Sequence, residues 1–77
     1  MIATHHIESI SFKNDIMVLV VDGQTIELPL EQVSKKLLES NEMERQVFVI
    51  SPSGYGIHWP IVDEDLSVVS LLKEAGL

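Results

Sequence analysis

Three histidines, three consecutive acids and a short glycine-bearing turn are the residues of this chain whose types could do chemistry. His5, His6 and His58 raise a transition-metal site, because neutral imidazole is the commonest metal ligand. Adjacent histidines on a strand point to opposite faces, so His5 and His6 do not chelate one ion together. A triad would need His58 beside one of them, plus a carboxylate. Asp63-Glu64-Asp65 raises a divalent cation held by oxygen. The calcium-loop pattern, however, sets its ligands at alternating positions around a central Gly, which is missing here. Three acids just before a helix have a plainer use, complementing the positive end of its dipole, and that is the expectation. Ser53-Gly54-Tyr55-Gly56 matches neither the phosphate loop nor the dinucleotide fingerprint and lies between strands. Gly56 is expected to permit close backbone approach or a strand irregularity. The serines show no nucleophile elbow and no triad order. The expectation is therefore no catalytic residue, no metal and no cofactor. The alternative is a metal-binding or enzymatic protein using His58 with Asp63 or Asp65.

Tyr55, Ile57 and Trp59 alternate with Gly56 and His58. Exposed aromatics of this kind anchor interfaces. The sole Trp of a small domain more often lies in the core with its N–H paired, and that reading is preferred. The candidate interaction residues are Tyr55, Gly56, Ile57, His58, Trp59, Pro60, Asp63, Glu64 and Asp65.

The elements that must position these residues follow from pattern. HIESISF, from about His5 to Phe12, places Ile10 and Phe12 on one face of a first strand. Lys13-Asn14-Asp15 is a turn, since Asn and Asp tolerate left-handed backbone. IMVLVV, from Ile16 to Val21, is apolar on both faces, which suits a strand inside a sheet or an edge that a partner covers. Asp22-Gly23 is a strong type I′ hairpin signal. The return strand QTIELPL turns Ile26 and Leu28 inward and Thr25 and Glu27 outward, until Pro29 ends it. From Glu31 a helix is expected, with Leu30, Val33, Leu37 and Leu38 as its stripe and Ser40-Asn41-Glu42 as its frayed end or a loop. Gln46 to Ile50 is a fourth strand, Ser51 to Gly54 a turn, and Tyr55 to Trp59 a fifth strand limited by Pro60. Asp63 to Asp65 lead into a last helix capped by Asp65 or Ser67, with Val68, Leu71, Leu72 and Ala75 as its stripe and Gly76 past its end. The order βββαββα predicts an α+β domain: one largely antiparallel sheet of four to five strands with two helices mainly on one face.

At 77 residues the chain is expected to form one small domain over 1–77, and its 45% apolar content supplies a core without disulfides, since it has no Cys. That fits a reducing cytoplasm. Twelve acids against five Lys and Arg give a formal charge of −7. Phosphate backbones and anionic lipid are bound by Lys and Arg, so neither nucleic acid nor membrane is an expected direct partner. A basic protein partner is compatible with the charge. MIATHHIES lacks the cationic flank and apolar stretch of a secretory leader, and the apolar run at Ile16–Val21 is too short to span a bilayer.

The stretch GYGIHWPIVDEDLSVVSLL closely resembles the C-terminal signature of bacterial domain-of-unknown-function family 2442. The matching positions are Gly56, Ile57, Trp59, Pro60, Asp63, Glu64, Asp65, Leu66, Ser67, Val68, Leu71 and Leu72. The hairpin at Asp22-Gly23 followed by Leu28-Pro29-Leu30 is similar to an earlier pattern of the same family. The resemblance implies a small α+β domain, sometimes alone and sometimes fused to a DNA-binding helix-turn-helix. Stand-alone members are often encoded beside another small protein, which suggests a toxin–antitoxin-like pair. The sequence stops at Leu77 with no such fusion, so a direct repressor role is not expected. No catalytic residue is carried over from the family. The leading expectation is a non-enzymatic protein-interaction module, antitoxin-like, in a two-protein system. The alternative is a self-associating structural domain pairing through IMVLVV or the Tyr55 to Trp59 strand.

Overall fold

Asn14 and Asp22, both in left-handed backbone (φ 56° and 51°), turn the first part of the chain back on itself twice. Only Gly, Asn and Asp enter that region routinely, so these two positions fix where the strands end. Gly23 follows at φ 80°, giving the two successive positive φ values of a type I′ turn. The result, in a computed structural model that describes residues 5–76, is a three-stranded antiparallel sheet in the order β1-β2-β3, with β1 at Ile7–Lys13, β2 at Ile16–Val21 and β3 at Gln24–Pro29. The expectation that MIATHHIES lacks a secretory leader falls in part on residues 1–4, which lie outside the described residues.

Register carries the alternation across the sheet. Ile10 lies opposite Leu19 and Leu19 opposite Ile26, while Phe12, Met17 and Leu28 form the next row. Those residues face the core. Ser9, Val20 and Thr25, then Ser11, Val18 and Glu27, form the outer rows. IMVLVV is thus the central strand, with Met17, Leu19 and Val21 buried and Ile16, Val18 and Val20 half-buried on the outer face. A bulge near Glu8 interrupts β1, and the Glu8 carboxylate accepts the Gly23 N–H at 2.9 Å.

The helix expected from Glu31 is broken. α1 is Leu30–Val33 and α2 is Lys35–Leu38, with Ser34 between them in extended backbone (φ −159°). The Ser34 hydroxyl accepts the Leu37 N–H at 3.1 Å, so it caps a new turn where the apolar stripe suggests continuity. Ser40-Asn41-Glu42 is likewise no frayed end. Asn41 opens α3 (Glu42–Gln46) through a reciprocal capping box with Glu44, both bonds 2.8 Å. This third helix takes Gln46 from the expected fourth strand, and Val47 and Phe48 follow outside any strand, leaving β4 as Val49–Ile50 alone. Asp63 to Asp65 do not lead directly into a helix either. Asp63, at φ 54°, makes a tight turn after which Glu64–Ser67 is strand β6, antiparallel to β5 (Gly56–Trp59). The last helix, α4, is Val68–Glu74, capped by Ser67 and followed by Gly76 at φ 84°. The fold is α+β, but with two three-stranded antiparallel sheets and four short helices instead of one sheet and two helices.

Both sheets and the helices supply one core, with Met17, Leu19, Leu30, Leu37, Trp59 and Val68 each fully buried. Trp59 meets Phe48 at 6.0 Å between ring centroids and donates its indole N–H to the Arg45 carbonyl at 3.0 Å. Arg45 is itself buried. Its guanidinium donates to the carbonyls of Leu37, Leu38 and Asn14 and to Asp15 Oδ1, over 2.8–3.2 Å, and lies 5.6 Å from the Phe12 ring centroid. No helix among the described residues is long and apolar enough to cross a membrane.

Gly54 is buried at φ 69°, and a Cβ there would overlap the His5 carbonyl oxygen. Gly54→Ala is expected to cost about 2 kcal/mol or more, from left-handed backbone plus backbone displacement, read as a lowered urea midpoint. Arg45→Lys is expected to cost about 2–3 kcal/mol, because one ammonium cannot serve carbonyls spread over two segments and leaves some of them orphaned. An unchanged midpoint in either variant would contradict this account of the core.

Candidate functional site

Strand alternation in β5 sends Ile57 and Trp59 into the core, so Gly56 and His58 face outward. Their β6 partners on that face are Ser67 and Asp65, and from β4 Val49 lies opposite His58. Gly56 brings no side chain to this surface, and a hollow of about 460 Å³ results. Its walls come from Val49, Ser51, Tyr55, Gly56, Ile57, His58, Asp65, Leu66 and Ser67. Val49 and Tyr55, 60% and 59% exposed, flank this one depression. Its lining is chiefly apolar carbon.

The polar groups here are engaged within the chain. Ser51 Oγ accepts the N–H groups of Tyr55 and Gly56 at 2.9 and 3.0 Å. Ser67 Oγ accepts the Ser70 N–H as the helix cap. His58 Nδ1 lies 2.8 Å from Asp65 Oδ1, a pair directly opposed across β5 and β6 and open to solvent. Such an exposed pair adds little to stability. A histidine held by a carboxylate is an arrangement that general bases use. Here neither neighbouring hydroxyl is hydrogen-bonded to His58.

The three acids diverge. The Asp63 carbonyl accepts from Lys36 Nζ at 2.8 Å. Glu64 accepts the Ser34 hydroxyl at 2.6 Å through one oxygen and the Asp65 N–H at 3.0 Å through the other. Only Asp65 turns to His58. The expected role of the run as a charge complement to a following helix is therefore corrected: the acids occupy a turn and a strand, and Ser67 alone caps α4. Of the other candidates, Trp59 and Ile57 are core residues, and Pro60 lies exposed in the turn after β5. Tyr55 does not share their face, because it precedes β5 in the loop.

The remaining histidines stand at the β2–β3 turn end of the first sheet, where the His5 N–H donates to the Ser53 carbonyl at 3.3 Å. His5 Nδ1 meets Asp22 Oδ2 at 2.8 Å, and the His6 N–H donates to Asp22 Oδ1 at 2.8 Å. Among the described residues no group of three or more His, Asp or Glu side chains is placed to hold a metal ion. A second hollow, of about 450 Å³, lies over Phe12, Asp15, Ser40, Glu42 and Arg45, where the guanidinium donors are already taken by the chain's own oxygens. Val49, Ser51, Leu66 and Ser67 line the hollow but were not among the candidates read from sequence. The hairpin across Ser51 to Gly54 carries the signal, because it must place the strand before it beside His58.

A family model described as "Protein of unknown function (DUF2442)" matches residues 7–76. No curated protein and no solved structure matches the chain.

Hydrogen bonds from the His6 N–H and from His5 hold the Asp22 carboxyl below its usual value of 3.8. A carboxyl depressed in the folded state contributes stability that is present above its unfolded pKa and is lost as pH falls through the folded value. Asp22→Asn should therefore lower the urea midpoint at pH 7, with the difference from the parent shrinking as pH falls below about 4. A difference that stayed constant from pH 7 to pH 2 would show that the carboxylate charge plays no part in this turn.

Proposed function

We propose that this chain, which belongs to the DUF2442 family of proteins of unknown function, is a non-enzymatic protein-interaction module that receives its partner on the open face of the second sheet. The observation that carries this reading is the pair Val49 and Tyr55, each more than half exposed beside a hollow whose serine hydroxyls already serve the backbone. Large side chains that stay out of an available core, around a depression of this size, are what interface anchors look like before a partner arrives. Catalysis would ask the same face for a nucleophile or metal within reach of His58, and its hydroxyls are committed to the main chain instead. The setting that fits is the cytoplasm, in a two-protein system in which this chain is the acidic, antitoxin-like member. Its charge of −7 favours protein over nucleic acid as the direct partner.

A second reading, self-association, is favoured by one specific feature. Ile16, Val18 and Val20 form an apolar stripe along the middle of the first sheet's outer face. Serines of β1 and Thr25 and Glu27 of β3 flank it, which makes it narrower than a core face.

The test uses the full chain with Val49→Ser and Tyr55→Ser made separately. Both positions are exposed, so both variants should keep the parent's thermal midpoint within a few degrees. Co-expressed with the product of a neighbouring gene, the parent should hold it through size exclusion at micromolar concentration, and each variant should weaken the complex at least tenfold. A complex unaffected by both substitutions would move the interface elsewhere. Loss through substitutions at Val18 instead would favour the first sheet.

A further inference from the structure

The charges around the hollow decide what kind of segment can enter it. Among its lining residues Asp65 supplies the one carboxylate, and His58 stands beside it. Asp65 keeps 77% of its side chain exposed, and one of its oxygens, Oδ1, meets His58. The chain's cations stand elsewhere: Lys36 is on the Asp63 carbonyl, Arg45 is buried on its carbonyls, and no Lys lines the hollow. An apolar wall ending in a carboxylate matches a side chain with an apolar stem and a cationic head. A second copy matches poorly. It would bring another Asp65 to the same face and add a further charge of −7.

We propose that the hollow receives a cationic segment of a different protein. An apolar side chain sits over Gly56 between Val49 and Tyr55, and an adjacent Lys or Arg pairs with Asp65. This rests on reading the face as an interaction surface, and it adds the chemistry that the partner must present.

The experiment follows backbone amide signals of the full, isotope-labelled chain during titration with three synthetic peptides. One carries Leu flanked by Arg, one has each Arg replaced by Glu, and one has Leu replaced by Ser. The Arg–Leu peptide should move the signals of Val49, Tyr55, Gly56 and Asp65, and weaken several-fold between low salt and about 0.5 M salt. Asp65→Asn should weaken it about fivefold while leaving the thermal midpoint close to the parent's, as expected of an exposed pair. Gly56→Ala, whose added Cβ would meet the Leu66 carbonyl at 3.4 Å, should raise the floor of the hollow and weaken the same peptide without unfolding the chain. If the Glu–Leu peptide moves the same signals equally well, the cationic partner is refuted while the interaction face stands. If no peptide moves them and sedimentation shows a dimer lost in Tyr55→Ser, the occupant is a second copy and the proposal fails. If no peptide moves them and the chain stays monomeric, both the proposal and the reading beneath it fall.

Discussion

One buried arginine ties the two halves of this molecule together. The Arg45 guanidinium satisfies carbonyls from the β1–β2 turn and from the end of α2, while its own carbonyl accepts the indole N–H of Trp59 in β5. Taking a charge out of water is costly unless nearly every donor is met, and here four oxygen acceptors within 3.2 Å meet it, one of them the Asp15 carboxylate. The arrangement has a consequence for the second sheet. Trp59 is oriented by a bond to Arg45, which in turn holds Asn14 and Asp15 at the β1–β2 turn, so the inner face of β5 is tied to the first sheet. Because the side-chain period of a strand is two, fixing Trp59 inward also fixes His58 and Gly56 outward. The hollow is thus positioned by packing on the opposite side of its own strand.

The acids between β5 and α4 reinforce the same frame by a different route. Glu64 takes the hydroxyl of Ser34, and Ser34 takes the N–H of Leu37, so the break between α1 and α2 is locked to the β5–β6 turn. Lys36 adds a bond to the Asp63 carbonyl from the same segment. Asp63 supplies the left-handed residue that lets β6 return along β5. Two of three adjacent acids are therefore consumed in joining elements, and the third, Asp65, is left on the surface with His58. Their neighbourhood in sequence says nothing of a shared ligand, because Glu64 and Asp65 turn their side chains to different partners and Asp63 contributes its backbone.

The first sheet could be read from sequence almost residue by residue, because its determinants are local. Asn14, Asp22 and Gly23 are turn residues with positive φ, and the inward set Ile26 and Leu28 repeats with the strand period. The middle of the chain could not. Leu30, Val33, Leu37 and Leu38 repeat as one helix would, yet the helix stops halfway at Ser34, which caps the Leu37 N–H and donates to Glu64, thirty residues away. Arg45 could not be singled out, since burial of its guanidinium depends on carbonyls that two separated segments deliver, at Asn14 and at Leu37 and Leu38. The Asn41–Glu44 box was written in the sequence but lay in a stretch read as a loop. The strand at Glu64–Ser67 was hidden for another reason. An acid run before an apolar stripe fits helix capping as well as it fits an edge strand, and the pairing with β5 decides between them.

What the site owes to sequence is therefore uneven, and the unevenness is physical. Trp59 was legible as core because a lone indole in so small a chain has nowhere else to lose its surface. Tyr55 was grouped with it by alternation, yet the chain at Ser51 to Gly54 turns over the backbone at His5, and Tyr55 emerges from that crossing still outside the strand. Gly54 permits the crossing and Gly56 leaves the space beyond it open. Replacing Gly54 would disturb the fold, whereas replacing Gly56 would meet only the Leu66 carbonyl at van der Waals distance, with open volume on its outer side. Folding therefore accounts for the first of these glycines and leaves the second unexplained. A residue that the scaffold does not require to be small, at the floor of a depression flanked by Val49 and Tyr55, is most simply explained by what has to fit above it.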